Sequence, residues 1–308
     1  MSGSPGLTIF ACPKPFVDPH IACIQRNALR SWMHLDPRPE IIVVGDEPGA
    51  GEVCRELGLV HIPHLARTRF GTPLLSDIFR RAEEAASSSL MAYVNADIIL
   101  LQDFADAIRS LTLPSFLLVG QRWDVDIREP LNFASAAWAG DLRSLIAAGA
   151  TLHPHTGIDY FVFSKGLFSG MPPFALGRTT FDNWLLWRAH TLGCPVVDAT
   201  EAVTCVHQNH GYSYELVGQA PAGGLDDYGT GEEARLNRAL APGRRLTTLR
   251  ECDHRLTRQG LRQRSAAYVL ARRLLLQLPT RDDVRTLGRG VIAAACTSMR
   301  LPRRRPTV

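Results

Sequence analysis

The sequence predicts an α/β protein built on a mixed, mainly parallel central sheet. Short apolar, β-rich runs alternate with amphipathic stretches over the first 100 residues, and the connections between them are brief, as in doubly wound parallel sheets. The run Leu90 to Val94 (LMAYV) is apolar at every position, as expected for a strand covered on both faces. It leads directly into Asn95-Ala96-Asp97. In open α/β sheets, ligands bind in the crevice beyond the carboxyl ends of the strands. A carboxylate delivered there can hold a divalent cation, and the cation a diphosphate; Asn95 and Asp97 equally suit a turn or a helix cap.

Taken in order, residues 7–12 (LTIFAC) read as a first strand, ended by Pro13-Lys14-Pro15-Phe16, because each proline fixes its own φ and disfavours helix for its predecessor. Asp18 can cap a helix over 19–35, in which Ile21, Ile24, Ala28, Leu29 and Trp32 recur at helical spacing. A strand over 40–44 precedes Gly45-Asp46-Glu47, and a helix over 50–58 closes at Gly58. A short strand at 59–62, a loop to Gly71, and a helix over 73–86 opened by Thr72-Pro73 complete the half. Beyond Asp97 come a helix over 103–111, a strand over 115–121 ending at Arg122-Trp123-Asp124, a helix over 141–148, and Gly157-Ile158-Asp159 before the apolar run from Tyr160 to Phe163. A helix over 181–192 ends at Gly193, and Val203 to His207 leads into Gln208-Asn209-His210.

The bulk numbers exclude several classes. The 308 residues are 45% apolar and 21% charged, enough for a sizeable core. No run of 18 apolar residues suggests a spanning helix, and the first residues lack the basic and apolar regions of a secretory signal. Seven scattered cysteines without a CxxC pair suit reduced thiols and a cytoplasmic setting. The first turn carries no GxGxxG, against a nicotinamide or flavin dehydrogenase, and no GxxxxGK[ST] is present.

Three segments place polar groups beyond apolar elements: Asn95-x-Asp97, Asp182-Asn183-Trp184 and His207-x-x-His210. Asp97 and His207 suit a cation site of protein oxygens, one imidazole and phosphate oxygens. His207 equally suits a satisfied histidine at a strand end. Asp182 suits a base that takes a proton from an acceptor hydroxyl, or a carboxylate that only faces its helix N-terminus. Asp159 reads as an acceptor contact or a turn residue. Trp184 and Trp187, three apart on one helix, read as core in preference to a sugar platform.

YVNADIIL, TGIDYFVF, FDNWLLWRA and HQNHGYSY resemble segments of bacterial and plant glycosyltransferases, and residues 7–215 resemble the nucleotide-diphospho-sugar transferases of the GT-A fold. The resemblance implies a catalytic domain over 1–217, with a nucleotide-binding half (1–101) and an acceptor half (102–217), and a manganese or magnesium cation held by Asp97 and His207. It implies base and ribose contacts from Pro13, Lys14, Phe16 and Asp46, and Gly71 and Thr72, with Asn95, near the nucleotide or donor sugar. It further implies Asp182 as the base of an inverting transfer, and an acceptor side at Asp159, Trp184, His210 and Tyr212. The partners would be a nucleotide-sugar donor and a glycan or other hydroxyl acceptor. Asn95 stands where the family's DxD motif has its first Asp, leaving one strong ligand there. A nucleotidyltransferase would carry a Gly-rich basic loop after the first strand, which Pro-Lys-Pro does not match; a nucleotide-sugar-binding module without turnover is the remaining alternative.

Residues 218–248 read as a loop-rich linker and 249–308 as a basic helical extension. Residues 250–308 hold 14 Arg against four acidic residues, a charge of +10 that leaves −6 for the rest of the net +4. A helix over 265–278 with Arg272 and Arg273 on one side suits either packing on the catalytic domain or peripheral contact with an anionic membrane; packing is preferred. No nucleic-acid-binding motif is present.

Overall fold

The computed structural model describes residues 6–210, 231–241 and 247–277. The first half runs β1 (Leu7–Ala11), α1 (Pro19–Met33), β2 (Glu40–Val44), α2 (Ala50–Leu57), β3 (Val60–Ile62), α3 (Leu75–Ala85) and β4 (Leu90–Val94). Asp18 caps α1, accepting from the backbone N–H of Ile21 at 2.8 Å, and Gly58 ends α2 at φ +65°. Pro73 does not open α3. It lies in a bridge with Arg67, extended ahead of the helix, and Leu74 bridges Ala175.

The second half contains β5 (Ile98–Leu100), α4 (Gln102–Ser110), β6 (Leu117–Val119), β7 (Trp123–Val125), α5 (Trp138–Gly149), β8 (Thr151–Leu152), β9 (Tyr160–Ser164), α6 (Phe181–Thr191), β10 (Val196–Asp198) and β11 (Cys205–Gln208). Beyond it lie α7 (Glu232–Leu240), a 3-10 turn (Leu249–Glu251), β12 (His254–Thr257), β13 (Gly260–Gln263) and α8 (Ala266–Gln277).

A nine-stranded sheet has the order β13-β12-β10-β6-β9-β4-β1-β2-β3, and a four-stranded sheet the order β5-β11-β7-β8. In the large sheet only β9 and β13 run antiparallel to their neighbours. This is the mixed, mainly parallel α/β architecture expected. Alternation along the strands divides the core into two layers. Ile9, Ala11, Ala92 and Val94 pack with Ala28, Leu29 and Trp32 of α1 and Phe104 of α4. Phe10, Met91 and Tyr93 pack on the other face with Ile78 and Phe79 of α3 and Leu185 of α6. The small sheet is covered by α5 through Ile99, Val125, Val206 and Leu142.

Two expectations for the C-terminal part are corrected. The stretch read as loop-rich linker contains α7, whose Ala234 and Asn237 are buried. The stretch read as helical begins with β12 and β13, and β12 extends the large sheet by parallel pairing with β10. Four-residue strands of mixed polarity such as HRLT and GLRQ give no clean period-2 signal, which is why the sequence hides them. Among the described residues no helix is long and apolar enough to cross a membrane.

Candidate active site

The strand order places a reversal between β1 and β4, the switch point at which α/β sheets open a crevice. The parallel register of β1 on β4 pairs Leu7 with Leu90 and Phe10 with Tyr93, so the same offset carries Lys14 level with Asp97 just beyond the strand ends. In the small sheet, β11 lies between β5 and β7. Its register sets His207 opposite Ile98, the neighbour of Asp97, and opposite Asp124. Buried Gln208 locks this arrangement by donating to the carbonyls of Ile24 at 2.7 Å and Asp97 at 3.0 Å.

Asp97, His207 and His210 each direct a ligand-type atom into one space, all within 4.8 Å of one another. His210 Nε2 lies 2.9 Å from Asp97 Oδ2, and His207 Nε2 3.8 Å from the same oxygen. Asp97 Oδ1 is buried without a hydrogen-bond partner. A carboxylate with Oδ2 beside two imidazoles and a buried, unmatched Oδ1 suits a divalent cation, and one oxygen with two nitrogens suits manganese or zinc better than magnesium. Burial alone would raise the Asp97 carboxyl, but the His210 hydrogen bond, followed by the nearby His207 and His210 imidazoles and last by Lys14, outweighs it and holds the group well below the usual range. Burial also lowers His207, which is therefore a neutral imidazole at pH 7, as a metal ligand must be.

Behind the cluster runs a chain of polar groups. His207 Nδ1 is 3.4 Å from Asp124 Oδ1, without hydrogen-bond geometry. Asp124 also receives His153 Nδ1 at 2.7 Å and Arg122 Nε at 3.0 Å. A Cβ at Gly157 would lie 2.2 Å from His153 Cδ2, so only glycine leaves that imidazole its place. Arg122 Nη1 donates to Asp159 Oδ2, and Asp159 Oδ1 accepts from Asn95 Nδ2 at 2.5 Å. The antiparallel register of β4 on β9 produces the last contact, because it pairs Val94 with Tyr160 and so brings Asn95 beside Asp159.

Asp182 lies in the first turn of α6, 8% exposed, with Oδ1 unpartnered. Burial pushes its carboxyl up to about 7; the Asn183 N–H opposes this, Asp159 adds to it, and Arg122 opposes it. Thr180, at the helix N-cap, has φ +93°. That conformation is strained for a β-branched residue, by about 1–3 kcal/mol, and such strain concentrates at functional sites. Asn183 anchors the turn by donating to the Thr247 carbonyl at 2.8 Å.

The expected site residues divide. Asp97, His207, Asn95 and Asp159 come together as described, with Asp182 next to Asp159 and Arg122 in charge if not in contact. His210, expected on the acceptor side, lies in the group of ligand-type atoms with Asp97 and His207, because its imidazole bonds Asp97. Lys14, expected at base and ribose, reaches the same cluster, with Nζ 3.5 Å from His210 Nδ1. Pro13 is buried, and the Phe16 N–H donates to the Pro48 carbonyl at 2.8 Å. Asp46 is exposed and paired with Arg67, whose other contacts are Glu47 at 2.9 Å and the Gly71 carbonyl at 2.9 Å. The Thr72 hydroxyl donates to Glu233 Oε2 at 2.8 Å. Trp184 is corrected from acceptor contact to core: it is 5% exposed and packs against Phe168 and Phe174. Tyr212 lies outside the described residues. Sequence reasoning missed Asp124, His153 and Glu233. Asp124 lies within the short strand β7 and His153 in the loop after β8, while Glu233 lies on α7 and meets the 68–72 and 175–180 loops, so none carries a local signal.

No family model and no curated protein matches the chain. Among solved structures, the mannosyltransferase PcManGT from Pyrobaculum calidifontis in complex with GDP-Man and Mn2+ aligns with 11% identity and a TM-score of 0.43, over 70% of this chain and 59% of that one. S. aureus TarS 1-349 aligns with 13% identity and a TM-score of 0.38, over 66% and 58%. The same protein in complex with UDP-GlcNAc aligns with 17% identity and a TM-score of 0.31, over 40% and 36%. The aligned part is thus less than two thirds of each of these chains.

Proposed function

We propose that the protein is a glycosyltransferase that moves a sugar from a nucleotide-diphosphate donor to a hydroxyl acceptor, with inversion at the sugar carbon. The observation that carries the reading is two unlike carboxylates: Asp97 among the imidazoles at the sheet's switch point, and Asp182 within charge reach of Asp159 and Arg122. Asp97 is held ionised among imidazoles, and Asp182 is held near neutrality by burial. Carboxylates whose environments push them apart in this way mark an ion-binding role for one and proton transfer for the other.

Asp97, His207 and His210 are the residues that would hold a divalent cation, which when bound supplies positive charge to the departing diphosphate. Lys14 brings its ammonium group to the same place, a further donor for the departing diphosphate. Asp182 accepts the acceptor's hydroxyl proton as the sugar carbon is attacked, and its position near neutrality suits a base working at pH 7. The leaving nucleoside diphosphate carries away the electron pair of the broken glycosyl bond. A retaining course needs no such base.

The test is to incubate the full chain with UDP- and GDP-sugars and Mn2+ and to measure nucleoside diphosphate release with and without glycan acceptors. Release that vanishes in Asp182→Asn while nucleotide binding persists supports transfer. Binding with no release by the wild type under any acceptor favours a nucleotide-sugar-binding module.

A further inference from the structure

Helix α7 touches two loops of different origin: residues 66–74, between β3 and α3, and residues 175–180, leading into α6. Glu233, in its first turn, is 3% exposed. One carboxylate oxygen accepts from Thr68 Oγ1 at 2.5 Å, and the other from Thr72 Oγ1 at 2.8 Å. The second oxygen also pairs with Arg178 Nη2 at 2.9 Å, and the Arg178 side chain is equally buried. One turn along the helix, Asn237 accepts from the Ala175 N–H at 2.9 Å and donates to the carbonyls of Ala175 at 3.0 Å and Thr179 at 3.2 Å. Backbone bonds already join the stems of the two loops, Leu176 N–H to the Pro73 carbonyl and Leu75 N–H to the Phe174 carbonyl, each at 2.9 Å. Glu233 is what joins their tips.

A carboxylate removed from water is retained only where its oxygens are matched by donors, and here the donors come from both loops at once. If one loop shifts, Glu233 can keep the donors of only one of the two, so the two loops hold one joint arrangement. One loop carries the Gly71-Thr72 turn. The other carries Thr180 in its strained backbone, two residues before Asp182. We infer that Glu233 is a positioning residue that couples the 68–72 turn to the loop presenting Asp182, so that the donor side and the base are set together. The functional half of this inference rests on the transferase reading; the mechanical half does not.

The full chain is tested as wild type, Glu233→Gln and the milder Thr72→Val, which removes one hydroxyl on the donor-side loop only. Hydrogen exchange read by mass spectrometry should rise about tenfold in residues 68–72 and 177–182 together, the loss expected for one hydrogen bond to a charged group, with α1 unchanged. UDP or GDP affinity in Mn2+ should weaken about tenfold while affinity for Mn2+ alone stays at the wild-type value, a separation that general loosening does not produce. If Glu233→Gln fails to fold, Thr72→Val carries the test, because its effect must cross to residues 177–182. Exchange in 177–182 that keeps the wild-type rate in the folded variants overturns the coupling. Nucleotide affinity unchanged in a folded Glu233→Gln overturns its functional role. A wild type that binds neither nucleotide overturns the transferase reading and leaves the exchange result to decide the coupling.

Discussion

Replacing Asp182 by Asn separates catalysis from stability in a way that its environment dictates. The carboxyl is buried, one oxygen has no partner, and its pKa stands at about 7 against an ordinary 3.8. The folded protein therefore holds a proton on Asp182 that the unfolded chain has released, and stability falls as pH rises from the unfolded value to the folded one. At 1.36 kcal/mol per pH unit the full cost is ~4 kcal/mol above pH 7, of which ~2 kcal/mol develops between pH 5.5 and pH 8.5. Asn keeps the shape and carries no charge at either pH. Other titrating groups are common to both proteins and largely cancel in the comparison. Urea unfolding of wild type and Asp182→Asn at the two pH values should show the stability difference moving in favour of Asn by ~2 kcal/mol on going to pH 8.5. Transfer should be lost at both. A difference that does not change with pH, or that moves in favour of the wild type at pH 8.5, would refute the claim that burial holds this carboxyl near neutrality.

Two further outcomes follow from packing and from the groups behind the cation cluster. Trp184→Ala should destabilise the fold by about 3–5 kcal/mol in urea unfolding, because the indole fills the layer between Phe168 and Phe174. Nucleotide affinity in the remaining folded protein should be unchanged, and a selective loss of acceptor use would return Trp184 to the acceptor side. Asp124→Asn should weaken Mn2+ binding up to about tenfold by titration, the low end for outer partners, since its carboxylate stands 3.4 Å behind His207 without a hydrogen bond and its negative charge favours a nearby cation; unchanged affinity would mean that Asp124 plays no part in the cluster.

The β-α alternation and the carboxyl-end position of Asp97 were legible because each depends on local pattern alone: apolar period, capping residues and a polar break after a buried strand. Asp182 was legible for the same reason, as an acid at a helix start. What escaped depends on contacts between distant segments. His210 joins Asp97 because β11 inserts between β5 and β7, a pairing that no local period encodes. The sequence equally gives no sign that Asn95 would spend its amide on Asp159, or that Glu233 would meet three donors from two loops. Trp184 shows the converse. Its helical spacing with Trp187 favoured core, and the acceptor role implied by resemblance gave way to burial.

We propose Asp97, with His207 and His210, as a cation-dependent seat for a nucleoside diphosphate. Calorimetric titration of the full chain with UDP and with GDP, each with and without Mn2+, tests it most directly when repeated on Asp97→Ala. At least one nucleotide should bind, in a way that requires Mn2+ and disappears in Asp97→Ala. Binding that is indifferent both to Mn2+ and to Asp97→Ala, or no binding of either nucleotide, would contradict it.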